Sequence, residues 1–169
     1  MSTLNYGRLS SGRDIVTLTA EARVLGNIPL FAKLPPAKLK LLAFTSEAVT
    51  FIDGEELFHA GDQSNCAYVV IDGEVEVFTH TDADKASFVL GKNELIGEMG
   101  ILNNAPRSAT IRAKGKVRVL RLTSETLLKL LSENAEIALD VMRLLSDRLA
   151  NTLHKYEESQ AKLKQYEDR

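Results

Sequence analysis

The chain has 169 residues, 44% of them hydrophobic and 26% charged. That is room for one packed domain or a domain with a helical appendage, and it excludes wholesale disorder. Lys and Arg total 21 against 23 Asp and Glu, a net charge of -2, which argues against a general polyanion binder because nucleic-acid modules carry a basic excess. No run approaches the ~20 apolar residues of a membrane span, and no apolar core precedes a small-residue cleavage site at the N-terminus. The single cysteine, Cys66, excludes an internal disulfide and a multi-cysteine zinc site. A soluble chain in the reducing cytoplasm is expected.

All four prolines lie between positions 29 and 106, and neither glycine nor proline follows Gly115. The middle therefore reads as short elements joined by turns, and the tail as helix. Residues 1–18 are polar and mixed, a loose arm. Thr19 is positioned to cap a short helix through Ala20, Glu21, Ala22 and Val24. Pro36 suits the first turn of a second helix, whose apolar face is Leu39, Leu41, Leu42 and Phe44.

From Ala48 the period changes to two. Val49–Ile52 and Glu56–His59 read as strands ended by Asp53-Gly54 and Gly61-Asp62. Ala67–Ile71 and Glu74–Phe78 flank Asp72-Gly73, a hairpin signal. Phe88–Leu90, Ala109–Arg112 and Val117–Leu122 complete a set of roughly seven or eight short strands, a pattern that suits a sandwich, a jelly roll or a barrel. Thr123-Ser124-Glu125 caps a short helix carrying Leu127, Leu128, Leu130 and Leu131. A long helix follows, with Ile137, Val141, Leu145, Leu149, Leu153 and Tyr156 at helical spacing.

One stretch, Leu95–Thr110, departs from this pattern. Gly97 lets backbone approach a ligand closely. A helical turn over Met99–Leu102 would present free amides, an anion site. Arg107 could return a cation to the same spot, and Glu98 is useful there if the ligand also offers a hydroxyl. Amides, one arginine and one carboxylate fit a sugar-phosphate diester with a free 2′-hydroxyl. Taken alone, Arg107 and Glu98 could equally form a surface salt bridge.

The run Gly97-Glu98-Met99-Gly100-Ile101-Leu102, followed by Pro106-Arg107-Ser108-Ala109-Thr110, resembles the phosphate-binding cassette of cyclic nucleotide-binding domains. These are the sensor domains of catabolite-activator-type regulators, cyclic-nucleotide-gated channels and kinase regulatory subunits. Phe31-Ala32-Lys33-Leu34, Phe58 with Gly61-Asp62, and Tyr68–Val75 extend the resemblance over about residues 28–155. Ile96 stands where an aromatic is common in the family, and Gly100 where alanine is common.

The resemblance implies an α+β fold: an antiparallel, jelly-roll-like β-roll with N-terminal helices, a short phosphate-binding helix and a long C-terminal helix. The implied division is an arm at 1–18, the ligand-binding roll at 19–122 and lid or dimerisation helices at 123–169. Arg107 would pair with the cyclic phosphate, and Glu98 with the ribose 2′-hydroxyl. Gly97, Met99 and Gly100 would present backbone to the sugar-phosphate, and Ser108 would add a hydroxyl. Val89 would pack on the base and Tyr156 would cover it, with Lys155 or Glu157 at its edge. Serine after the arginine favours cAMP over cGMP.

The tail helix has two readings, a lid packed through Leu127–Leu145, or a homodimer seam through Leu149, Leu153, Tyr156 and Leu163. No nucleophile–base motif is visible, so catalysis is not expected. His59, His80 and His154 are scattered, so no metal site is expected among them. The chain ends about a dozen polar residues beyond Tyr156, so it is expected to sense a cyclic nucleotide without binding DNA or membrane itself, and to signal to an unknown downstream protein. The alternatives are a fragment or relative of a cAMP-dependent transcription regulator, and a non-binding structural β-roll.

Overall fold

The computed structural model describes residues 15–79 and 84–167. The chain divides into two compact units after Leu127. In the first, helix α1 (Ile15–Gly26), a 3-10 turn (Pro29–Phe31) and helix α2 (Pro36–Thr45) precede six strands. These are β1 (Ser46–Phe51), β2 (Glu56–Phe58), β3 (Cys66–Phe78), β4 (Phe88–Leu90), β5 (Leu95–Ile96) and β6 (Thr110–Thr123), with helix α3 (Glu98–Leu102) between β5 and β6.

Residues 1–14 of the expected arm lie outside the described residues, and 15–18 belong to α1. Thr19 is therefore inside the helix and does not cap it. Burial of Ala22 and Leu25 sets where this helix forms, which local capping preference could not foretell. α2 starts as expected with Pro36 in its first turn. Its buried residues are Leu42 and Ala43, while Leu41 and Phe44 face out. Residues three apart share a helix face, so Leu41 and Phe44 turn away together.

The largest departure concerns the strands. Residues 66–78 are one strand, as are 110–123, and the two pair antiparallel from Cys66↔Thr123 to Phe78↔Thr110. Asp72-Gly73 is thus a bulge within β3 and not a hairpin turn. Gly73 has φ +90°, and a Cβ there would sit 2.6 Å from the Lys116 carbonyl oxygen of β6. The irregularity bends both strands together, so one long bent ribbon does the work of four short strands. The sheet is six-stranded with order β1-β6-β3-β4; β2 also pairs with β6, and β5 with β3. This is the β-roll expected from the resemblance, built from fewer and longer strands.

The roll is filled by Leu57, Tyr68, Val70, Val75, Ile96 and Val119 among others. Ala67, Val69, Leu120 and Leu122 alternate with residues of that cluster and are buried too, so the sheet is covered on both faces here. The Thr123 hydroxyl accepts the Thr126 N–H at 3.1 Å, capping helix α4 (Ser124–Glu133).

In the second unit, the Asn134 side chain closes α4 by donating to the Leu130 carbonyl at 2.7 Å. The Asn134 carbonyl accepts the Ala138 N–H at 3.1 Å and opens helix α5 (Ala135–Glu167). The two helices are separated by that one residue. Ile137 and Val141 on α5 are buried, whereas Met142, Leu149, Leu153, Tyr156 and Leu163 are exposed. No described helix is long and apolar enough to cross a membrane.

Candidate functional site

Strand β5, buried and paired with Tyr68 and Val69 of β3, delivers the chain to Gly97. Gly97 has φ +83°, and a Cβ there would lie 2.6 Å from Nη1 of Arg107 and 3.1 Å from Cε1 of Phe58. Only glycine both adopts this backbone cheaply and leaves that space open. Glu98 then opens α3 and is 1% exposed. Ile101 is buried and anchors the turn, while Met99 and Leu102 point outward.

At Gly100 a Cβ would fall 1.9 Å from the Ser64 hydroxyl oxygen. That hydroxyl donates to the Ala105 carbonyl at 2.7 Å. Ser64 thus fills the space a larger residue at 100 would take, and it ties the loop after α3 to the loop before β3.

The return of the chain is fixed by backbone. The Arg107 N–H donates to the Asp62 carbonyl and the Gly61 N–H donates to the Arg107 carbonyl, both at 2.8 Å. Asp62 in turn accepts the His59 N–H on its carboxylate at 2.9 Å, and the Thr110 hydroxyl accepts the Ala60 N–H at 3.0 Å. A turn far back in sequence therefore sets where Arg107 begins.

The Arg107 side chain runs inward and is 4% exposed. Its Nη1 donates to the Gly97 carbonyl at 2.7 Å, and its Nη2 donates to the Cys66 carbonyl. The Cys66 sulfur lies 3.6 Å from Nη2. The guanidinium carbon stands 4.0 Å over the centroid of Phe58. Phe58 stacks on Tyr68 at 6.2 Å, and Tyr68 meets Phe51 edge-on. Burial, reinforced by Cys66, pushes the Tyr68 phenol above its ordinary range, so it stays neutral and donates to the Leu57 carbonyl at 3.4 Å. Nε of Arg107 is buried and has no hydrogen-bond partner. A buried donor without a partner is costly, and a charged one most of all, so the position suits an anionic acceptor.

Of the residues singled out from sequence, Gly97, Glu98, Met99, Gly100 and Arg107 come together around this turn. The burial of Glu98 and Arg107 excludes a solvated surface pair. Ser108 follows on the surface. Val89 is on β4, exposed, opposite Glu76 of β3. Tyr156 belongs to the second unit, on the exposed stretch of α5. Sequence reasoning gave no role to Phe58, Ser64 or the Cys66 carbonyl. Cys66 is a buried free thiol. A cavity of about 290 Å³ between α1, α2 and the sheet, lined by Val24, Leu25, Ala43 and Leu120, shares no residue with this loop. Among the described residues no three His, Cys, Asp or Glu side chains converge on a common metal position.

A family model for the cyclic nucleotide-binding domain matches residues 48–134, just over half of the chain. The chain belongs to the cyclic nucleotide-binding domain family. It is 31% identical over 115 residues to a cAMP-dependent protein kinase regulatory subunit of Blastocladiella emersonii, covering 67% of this chain and 28% of that protein. It is 32% identical over 123 residues to the cyclic AMP receptor protein of Thermus thermophilus, covering 72% and 57%. The crystal structure of Thermus thermophilus catabolite activator protein superposes with a TM-score of 0.65 at 29% identity, covering 76% of this chain and 62% of that one. The match thus spans less than two thirds of each of these relatives. The cyclic nucleotide-binding domain match runs from β1 through α4 and contains the whole Gly97–Thr110 loop.

Proposed function

We propose that this chain is a cyclic mononucleotide sensor that prefers cAMP to cGMP and couples binding to movement of its C-terminal helix. The observation that carries the reading is the Arg107 guanidinium, held dry against Phe58 with Nε still unpartnered beside the glycine-led start of α3. A cyclic phosphate supplies the acceptor and the countercharge, and charge-assisted bonds of this kind are the strong ones. Glu98, next in the chain to Gly97, takes the ribose 2′-hydroxyl; the amides of Met99 and Gly100 and the Ser108 hydroxyl complete the cradle. Val89 packs on the base. The kinase regulatory subunit and receptor protein named above are described as cAMP-dependent and cyclic AMP proteins, which favours adenine.

The output is a population shift. Asn134, the single residue between α4 and α5, is the hinge, and Tyr156 is the residue brought over the base. The exposed stripe Leu149, Leu153, Tyr156 and Leu163 is spaced for a helix pair and serves a second copy of the chain or a downstream protein. We assign it to a reducing cytoplasm, a reading supported by the buried free thiol of Cys66.

Titration calorimetry of the purified chain with cAMP, cGMP and linear AMP tests the reading. Saturable binding of cAMP, weaker binding of cGMP and far weaker binding of AMP are expected. Absence of binding by either cyclic nucleotide would overturn it.

A further inference from the structure

We infer that Phe58 is a positioning residue of the anion site: its ring sets the plane in which the Arg107 guanidinium waits for the phosphate. For the affinity part of its test, this rests on the sensor reading above.

Arg107 is held in two directions by hydrogen bonds, to the carbonyls of Gly97 and Cys66. Both bonds lie at the edge of the guanidinium, since a planar fork donates in its plane. Neither stops the group from tilting about the line that joins them. The face contact with Phe58, at 4.0 Å to the centroid, does. A guanidinium over an aromatic face gains most where water is excluded, and Arg107 is among the most buried polar residues of the chain.

The ring is itself immobilised. Phe58 pairs with Ile111 of β6 just after a register irregularity at Glu56/Phe58. Tyr68 stacks against it with an interplanar angle of 23°, and Phe51 closes on Tyr68 at 81°. The missing Cβ of Gly97 leaves room for ring and guanidinium at once, being 3.1 Å from one and 2.6 Å from the other. Glycine, ring and cation form one unit, although sequence reasoning gave a role only to the glycine and the cation.

The test replaces Phe58 in the full chain with leucine and, by amber suppression, with phenylalanines carrying one, two and three ring fluorines. Fluorination drains the ring's negative face while nearly preserving its shape. Cyclic AMP affinity is read by calorimetry, and the Arg107 Nε–H resonance is read by NMR without ligand, assigned by its loss in Arg107→Lys. Phe58→Leu should weaken cAMP binding about tenfold. The fluorinated series should weaken it in graded steps, and the Nε–H signal should move in step with fluorination. Equal affinity across the fluorinated series with an unmoved Nε–H signal, in variants that melt like the parent, overturns the role of Phe58. Should the parent bind no cyclic nucleotide, the sensor reading falls, while the resonance shift still decides whether Phe58 positions Arg107.

Discussion

The loop from Gly97 to Thr110 buries two charged side chains, Glu98 and Arg107, whereas the outer part of α5 leaves Leu149, Leu153, Tyr156 and Leu163 in solvent. Each region inverts the usual distribution of polar and apolar groups, in opposite senses. In the loop, the Arg107 charge is kept inside because backbone carbonyls and an aromatic face hold it in place. On α5 nothing within the unit covers the apolar stripe, and a Leu left exposed forgoes about 1.5–3 kcal/mol. On the reading proposed above, the loop serves a small anion and the helix a protein surface.

Substitutions can separate the two. Arg107→Ala should do most damage. Cyclic AMP binding should weaken by at least about a hundredfold, the scale of breaking a buried charge pair at ~3–5 kcal/mol. The melting temperature should also fall, because the Gly97 and Cys66 carbonyls lose their donor at a cost of about 1–3 kcal/mol. Calorimetry showing undiminished affinity removes Arg107 from the site.

Gly97→Ala comes next. Positive φ costs a non-glycine residue ~1–3 kcal/mol, and the new methyl would press on Nη1 of Arg107. Affinity should fall more than tenfold; a variant that binds like the parent shows that the close approach is not needed.

On the helix, Leu153→Glu should weaken self-association by about 2 kcal/mol, read as a lower mass in light scattering, and leave the melting of the roll alone. A parent chain that is monomeric at high concentration rejects the seam. Tyr156→Ala should reduce cAMP affinity by about 1 kcal/mol, the usual scale of an aromatic contact; an unchanged value leaves Tyr156 to the protein interface. Smallest of all, Ser108→Thr should narrow the cAMP-to-cGMP affinity ratio a few-fold, about 1 kcal/mol or less, and a ratio that does not move removes position 108 from base choice.

The loop was legible in the sequence because its residues are neighbours: the glycine, the acid and the arginine fall within one short stretch and need no distant partner to be noticed. The strands were less so. Asp72-Gly73 and Lys114-Gly115 carry the same local signal whether the chain reverses or merely bulges, and only the pairing of 66–78 along the whole of β6 decides between them. Thr19 misled for a related reason, since burial of Ala22 and Leu25 carries α1 past it. Phe58 lies far upstream of Arg107, so its place over the guanidinium follows from strand register, which no local pattern encodes.

Strands β1, β2 and β3 all take β6 as a partner. A ribosome making this chain therefore releases three strands before the one that satisfies them has been synthesised. Until Thr123 can reach Cys66, those edges stay open to any neighbouring polypeptide, a state prone to aggregation. A message cut short ahead of position 110 would leave β3 paired only with β4 and β5 and leave β1 and β2 without the strand they pair with, and cells expressing this protein are expected to lean on holdase chaperones until the final strand emerges.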